Sequence, residues 1–200
     1  MWRYIVINMT KKELIRITAI ELMAQNGYND TKIQEIANKA NIAVGTIYRY
    51  YKDKQEILDY IFFYILSKKI KLLDDLELNG STSLNTINLY LKFHIEQWEK
   101  CPNVFKILKQ DGVPYSKHSV NIQVMYKKLL GKLENIVKQG QKIGEIKEID
   151  ASMVAFALLN IMNIMQVMNI IDFDFNRHIN YETRKEALIL FIINSIKIIK

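Results

Sequence analysis

Between Ala43 and Lys54 the chain lays out hydroxyls, phenol rings and cations at close spacing, A-V-G-T-I-Y-R-Y-Y-K-D-K. Their shared chemistry is donation to phosphates and base edges. Thr46 offers a hydroxyl for a phosphate, or a methyl for a thymine. Tyr48 and Tyr50 carry hydroxyls suited to phosphate contacts that fix register. The Arg49 guanidinium can bridge O6 and N7 of a guanine, and it meets a phosphate equally well. Gly45 has no side chain, so a helix start there can approach a backbone or base edge closely. Val44 stands beside it on the outward face. Lys54, in the first turn of a following helix, adds its charge to free backbone N–H groups and suggests a phosphate clamp. Upstream, Thr31 offers another hydroxyl and Lys32 a phosphate-seeking charge.

Other chemistries lack residues. There is no phosphate-binding glycine loop and no dinucleotide fingerprint. His94, His118 and His178 stand far apart, none with a His or Cys at metal-ligand spacing, so no metal site and no cofactor are expected. Cys101 has only Lys100 as a charged neighbour. Asp74 and Asp75 are adjacent, and adjacent helical residues point apart by about 100°, so they cannot share a substrate proton. An enzyme has no positive support.

The elements that must position the donors follow from periodicity. Thr31 and Gln34 have capping-box spacing for a short helix with Ile33, Ile36 and Ala37 on one face. Asn41 suits a tight turn in left-handed geometry. A second helix, Ala43 to Tyr51, buries Ile47 and Tyr51 and turns Val44, Gly45, Thr46, Tyr48, Arg49 and Tyr50 outward. Asp53 and Glu56 open a third. Upstream, residues 10–26 predict a helix capped by Thr10 with Glu13 and closed by Gly27, its stripe being Ile15, Ala19, Leu22 and Met23. Lys11, Lys12 and Arg16 on it are either phosphate contacts or a solvated face. Two short helices about a tight turn, the second bearing polar and aromatic groups, are a helix-turn-helix DNA reader.

This stretch resembles the amino-terminal domain of the TetR family, the tetracycline-repressor-like transcription regulators. The likeness lies in Gly27-Tyr28, Thr31, Ile33, Ile36-Ala37, Ala40, Ile42, Gly45-Thr46-Ile47-Tyr48, Tyr50-Tyr51, Lys54 and Glu56-Ile57-Leu58. It covers the first quarter to third of the chain. Three positions depart from the family pattern: Asn41 replaces a usual Gly, Ala43 a usual Ser cap, and Lys32 a common Thr. Losing the Ser cap costs the recognition helix about 0.5–2 kcal/mol. The resemblance implies one variable effector-binding domain after the reader.

Composition agrees with a helical chain of 200 residues, 50% hydrophobic with two prolines. Net charge is +7; residues 1–55 hold nine Lys or Arg and five Asp or Glu, so the excess is denser around the reader. Such a surplus suits a polyanion, because neutralising phosphates releases counterions. A single cysteine excludes an internal disulfide and suits a reducing cytosol. Met1–Asn8 is too short for a secretory signal and reads as a disordered extension, with Met9 a second candidate start. Ala151–Ile171 is uncharged and long enough to span a bilayer, but Asn160, Asn163, Gln166 and Asn169 interrupt it, so no membrane span is expected.

The expected fold is all-α: a three-helix reader over residues 1–55, then a helical effector-binding and dimerisation domain over 56–200, about nine helices in all. After a long helix from Asp53 to Leu78, helices are predicted at 82–100, in a short piece around Val104–Leu108, at 116–140, from Asp150 to Ile171 and at 180–198. A turn is predicted at 139–146 and a connector at 172–176. Tyr64, Tyr90, Phe93, Trp98, Phe105, Met125 and Phe156 suit an apolar effector pocket, with His94, Gln97, Asn160 and Asn163 to orient a ligand. Met162, Met165, Leu188, Phe191 and Ile192 suit an isologous four-helix homodimer seam.

The function expected is a cytoplasmic, ligand-responsive dimeric regulator, by resemblance most often a repressor. Its partners would be palindromic double-stranded operator DNA and a hydrophobic or amphipathic small molecule. Two alternatives are a constitutive DNA binder whose helical domain only dimerises or recruits a partner, and a helical enzyme or lipid carrier.

Overall fold

The computed structural model describes residues 9–108, 110, 120–170 and 181–198. They form nine helices: α1 Lys11–Asn26, α2 Ile33–Lys39, α3 Val44–Tyr48, α4 Lys54–Leu78, α5 Ser83–Lys100, α6 Pro102–Leu108, α7 Val120–Lys142, α8 Ala151–Ile170 and α9 Tyr181–Ile196. The all-α expectation holds. Among the described residues the β-type pairing is an isolated antiparallel bridge between Ile146 and Lys197. Two compact units are present: Met1–Ile65 with Lys100–Val124, and Leu66–Glu99 with Met125–Lys200. Compactness thus divides the chain inside α4, whereas the expected functional boundary stands at residues 55 and 56. Because α6 packs on α1, it belongs with the first unit.

In the first unit, α1 starts as its sequence dictates. The Thr10 hydroxyl accepts from Glu13 N–H at 3.2 Å, and the Glu13 carboxylate accepts from Thr10 N–H at 3.1 Å. Ile15, Ala19 and Met23 are fully buried. Each large apolar side chain so buried contributes about 1.5–3 kcal/mol. Gly27, at φ 93°, ends the helix and donates its N–H to Met23 O at 3.1 Å.

The start of α2 differs from expectation. Its cap is the extended Lys32 backbone, whose N–H donates to the Glu35 carboxylate at 2.9 Å, while Gln34 reaches Asn38. Thr31 is buried, and its hydroxyl donates to Gly27 O at 2.7 Å. Closing the α1–α2 turn takes Thr31 from the cap, so the box moves one residue along. Asn41 adopts φ 53°, as its place in the turn requires. Ala43 caps α3 by backbone alone, and Ile47 and Tyr51 are buried beneath it.

In the second unit, α5 buries Ser83, Thr86, Ile87, Tyr90, Leu91, His94 and Ile95, and α7 buries Leu129, Leu133 and Val137. The predicted turn at 139–146 is shorter than expected: α7 runs on to Lys142, and the chain turns at Gly144, φ 73°. Gly140 is helical. A Cβ there would lie 2.6 Å from Ile146 Cδ1 and 2.8 Å from Ser83 Cβ, so its role is close packing. Asp150 caps α8, accepting from Met153 N–H at 3.0 Å and from Ser152, bonds that hold its carboxyl below the usual range. The chain end is pinned by Lys147 N–H to Ile196 O and Ile198 N–H to Glu145 O. No helix among the described residues is long and apolar enough to cross a membrane. His118, His178 and the connector at 172–176 lie outside the described residues.

Candidate functional site

The short helix α3 is held by its buried side. Tyr51 closes it from below, its hydroxyl donating to Lys12 O at 3.3 Å, and burial pushes that phenol far above its ordinary value. With Ile47 and Tyr51 turned inward, the opposite face is free. Tyr48 is 55% exposed and Tyr50 41%; Arg49 and Gly45 are exposed, and Thr46 and Val44 half-buried. Lys32 is exposed on the adjoining α2 cap. Outward hydroxyls, a guanidinium and a bare backbone on one short helix are the parts of a major-groove reader. Lys52, exposed beside Tyr51, was not singled out from the sequence. Its signal was position alone, one residue past the last ring.

Two expected contacts turn inward. Thr31 donates within the turn, and Lys54 does so more completely. The Lys54 ammonium donates to Tyr28 O at 2.5 Å, Asn29 O at 2.8 Å and Thr31 O at 3.0 Å, and lies 4.5 Å from the centre of the Tyr28 ring. A turn that points three carbonyls at one place needs three donors, which an ammonium supplies. Partial burial lowers the Lys54 amine, opposed by Asp30 and Glu35. Its geometry is that of a brace within the reader. Gln110 completes the brace, accepting from Tyr28 N–H at 2.9 Å and donating to Met23 O at 2.7 Å.

Two of the three cations of α1 are likewise engaged. Lys12 lies 4.0 Å from the Tyr60 ring centre, and the Arg16 guanidinium 3.9 Å from that of Tyr64. Tyr64 therefore works in the first unit as a cation platform. Lys11 is exposed, and Lys39 pairs with Glu21 at 3.1 Å.

The expected effector residues fare unevenly. In the second unit Tyr90 and His94 are buried, with ring centres 6.3 Å apart and edge-on. The Tyr90 hydroxyl and both His94 ring nitrogens make no hydrogen bond among the described residues. Each such omission costs about 1–3 kcal/mol. Burial lowers His94, helped by the nearby charge of Lys69, and burial lowers the Lys69 amine to about 7. Lys69 was not anticipated. Phe93, Gln97 and Met125 are half-buried, and Asn160 donates to Phe156 O at 2.8 Å. Phe156 is 55% exposed. Two clefts of this unit, about 270 and 720 Å³, are lined by other residues, including Leu73 and Lys132 in one and Leu84 and Lys197 in the other. The side chains of Trp98, Phe105, Met162, Asn163 and Met165 lie outside the described residues.

Two helices expose large apolar side chains. On α8 these are Met153, 63% exposed, with Phe156; on α9 they are Leu190 and Phe191, the latter 68% exposed. Ile192, expected at a dimer seam, is buried in its own protomer at 5%, and Leu188 is half-buried.

A helix-turn-helix with its recognition face exposed defines a DNA-binding protein. Residues 15–61 match the model for bacterial regulatory proteins of the tetR family. YhgD, an HTH-type transcriptional regulator of Bacillus subtilis, is 28% identical over 156 residues, 77% of this chain and 81% of its own. The fatty acid metabolism regulator protein of that organism is 28% identical over 134 residues, 65% of this chain and 68% of its own. The crystal structure of the transcriptional regulator FadR from Bacillus subtilis in complex with stearoyl-CoA shares the fold, with a TM-score of 0.73 at 24% identity, covering 92% of this chain and 96% of that one. Over residues 15–61 the chain is thus similar to the DNA-binding domain of the TetR family, and over most of its length it is similar to an HTH-type transcriptional regulator.

Proposed function

We propose that this regulator acts in the cytoplasm as a homodimer, a repressor that binds a palindromic operator and leaves it when a hydrophobic or amphipathic small molecule is bound. The observation that carries the reading is the outward face of α3, where Tyr48, Arg49 and Tyr50 are exposed while Ile47 and Tyr51 anchor the helix. One such helix reads few base pairs, so specific affinity calls for two copies at half-sites about one helical turn, 34–36 Å, apart. The apolar stripes of α8 and α9 support an isologous seam, since contiguous exposed apolar surface usually marks an interface. Likeness to a fatty acid metabolism regulator, and to a structure holding stearoyl-CoA, supports an acyl-type effector. The helix α4 begins beside the reader and ends in the second unit, which makes it the natural carrier of the signal. A coupling of about 1–3 kcal/mol between effector and operator would suffice.

The test is operator selection followed by anisotropy titration with and without stearoyl-CoA. Release of the operator, with operator weakening effector binding by the same factor, is the expected result. A constitutive binder, whose helical domain only dimerises or recruits a partner, is the second reading. Unchanged operator affinity across acyl ligands would select it.

A further inference from the structure

Helix α5 carries a polar pair inside an apolar face. Tyr90 and His94, one turn apart, are 0% and 3% exposed, amid the buried Ile87, Leu91 and Ile95. Their hydroxyl and ring nitrogens have no hydrogen-bond partner among the described residues. From α4 the buried Lys69 acts electrostatically on His94, and from α7 Tyr126 acts on Tyr90. Burial is what lowers the Lys69 amine, and among the described residues no carboxylate offsets it. Native interiors seldom leave several polar atoms idle, and an absent partner is the usual reason. An ammonium and a phenol donate, and a neutral imidazole has one donor of its own, so the missing partner is rich in acceptors. The neighbours on α4, Leu66, Ile70 and Leu73, are apolar and buried, which suits an anion borne on hydrocarbon.

We propose that Lys69, Tyr90 and His94 receive the carboxylate of a long-chain acid, so that the effector is an amphipathic anion held by its head. The proposal rests on the ligand-responsive reading above and names the ligand class for it. Binding restores the ammonium on Lys69, so the acid enters with a proton.

Titrate the full chain with dodecanoate and with dodecanol, and separately test release of the operator by stearoyl-CoA. Dodecanoate should bind about 10- to 100-fold more tightly than the alcohol, the range for a hydrogen-bonded charge. At pH 8, calorimetry in buffers of different ionisation enthalpy should find net proton uptake on binding the acid, because an amine lowered to about 7 is mostly neutral there. Affinity for the acid should fall as pH rises above that value. Lys69→Met, which replaces a buried cation with an apolar side chain, should keep the fold by circular dichroism, lose the proton uptake and bind acid no better than alcohol. His94→Phe should lower the preference for acid and leave the alcohol unaffected. Equal affinities for acid and alcohol, or no binding of the acid, would overturn the proposal. If stearoyl-CoA still released the operator in that case, the ligand-responsive reading would stand without it. Discrimination between acid and alcohol with no release by any acyl ligand would keep the receptor and remove the reading.

Discussion

Replacing Lys54 by Met tests whether the reader is braced from within. The substitution keeps the aliphatic stem and deletes an ammonium that donates to three carbonyls between 2.5 and 3.0 Å away. A hydrogen bond to a charged group contributes about 1.5–3 kcal/mol. The Asn29 carbonyl is exposed and can turn to water, whereas those of Tyr28 and Thr31 are partly buried. Water replaces part of the loss, leaving a destabilisation of about 2–3 kcal/mol. For a chain of this size that lowers the melting temperature by about 4–12 °C. The paired assay is thermal unfolding and the salt dependence of operator affinity, the latter well below the melting range. The brace predicts a lower melting temperature and an unchanged slope of log affinity against log salt. A phosphate contact predicts the reverse, a slope smaller by about 0.9 with stability intact. Lys54→Arg separates them further, because a planar guanidinium reaches a phosphate readily but cannot aim three donors at three converging carbonyls. An unshifted melting curve with a reduced salt slope would refute the reasoning.

Arg49→Ala should cost about 1–3 kcal/mol of operator affinity and relax preference at one position per half-site if the guanidinium reads a base; selected sites with unchanged preference would assign it to the backbone. Phe191→Glu with Phe156→Glu should give soluble monomers by sedimentation, since both rings are exposed in the protomer, and a persistent dimer would place the seam elsewhere. Gly140→Ala should destabilise the fold by about 1–3 kcal/mol through overpacking, because the new Cβ would meet Ile146 and Ser83 at under 3 Å; an unchanged melting temperature would show that these neighbours move aside without cost.

Much of the reader was legible because several local signals agree at each position. Thr10 with Glu13, positive φ at Gly27 and Asn41, and inward Ile47 with Tyr51 all follow from residue type and spacing. What was not legible depended on groups distant in the chain. A Thr before a helix suits a cap, but the Thr31 hydroxyl goes to Gly27 O across the preceding turn. A Lys in the first turn of a helix suits a phosphate, but Lys54 answers carbonyls 23 to 26 residues away. Local propensity cannot report such demands, because the carbonyls become convergent only after the turn forms.

The second unit shows a different limit. In α9 the run Leu188-Ile189-Leu190-Phe191-Ile192 is apolar on every side, so periodicity cannot say which residues face the protomer. The structure buries Ile189 and Ile192 and exposes Leu190 and Phe191. In α5, by contrast, Ile87, Leu91 and Ile95 recur every fourth residue and set the inner face, which also carries Tyr90 and His94. Their burial could be read from spacing; the absence of partners could not. Nor could Lys69, which falls in register with the buried Leu58, Phe62, Leu66 and Leu73 but whose ammonium reads by type as a solvent-facing group. Burying a lysine without an anion is costly enough to lower its amine to about 7, and a fold stabilised by burial alone gains nothing from it. A cost of that kind becomes useful when an incoming carboxylate relieves it, because the relief is then part of the affinity for the ligand.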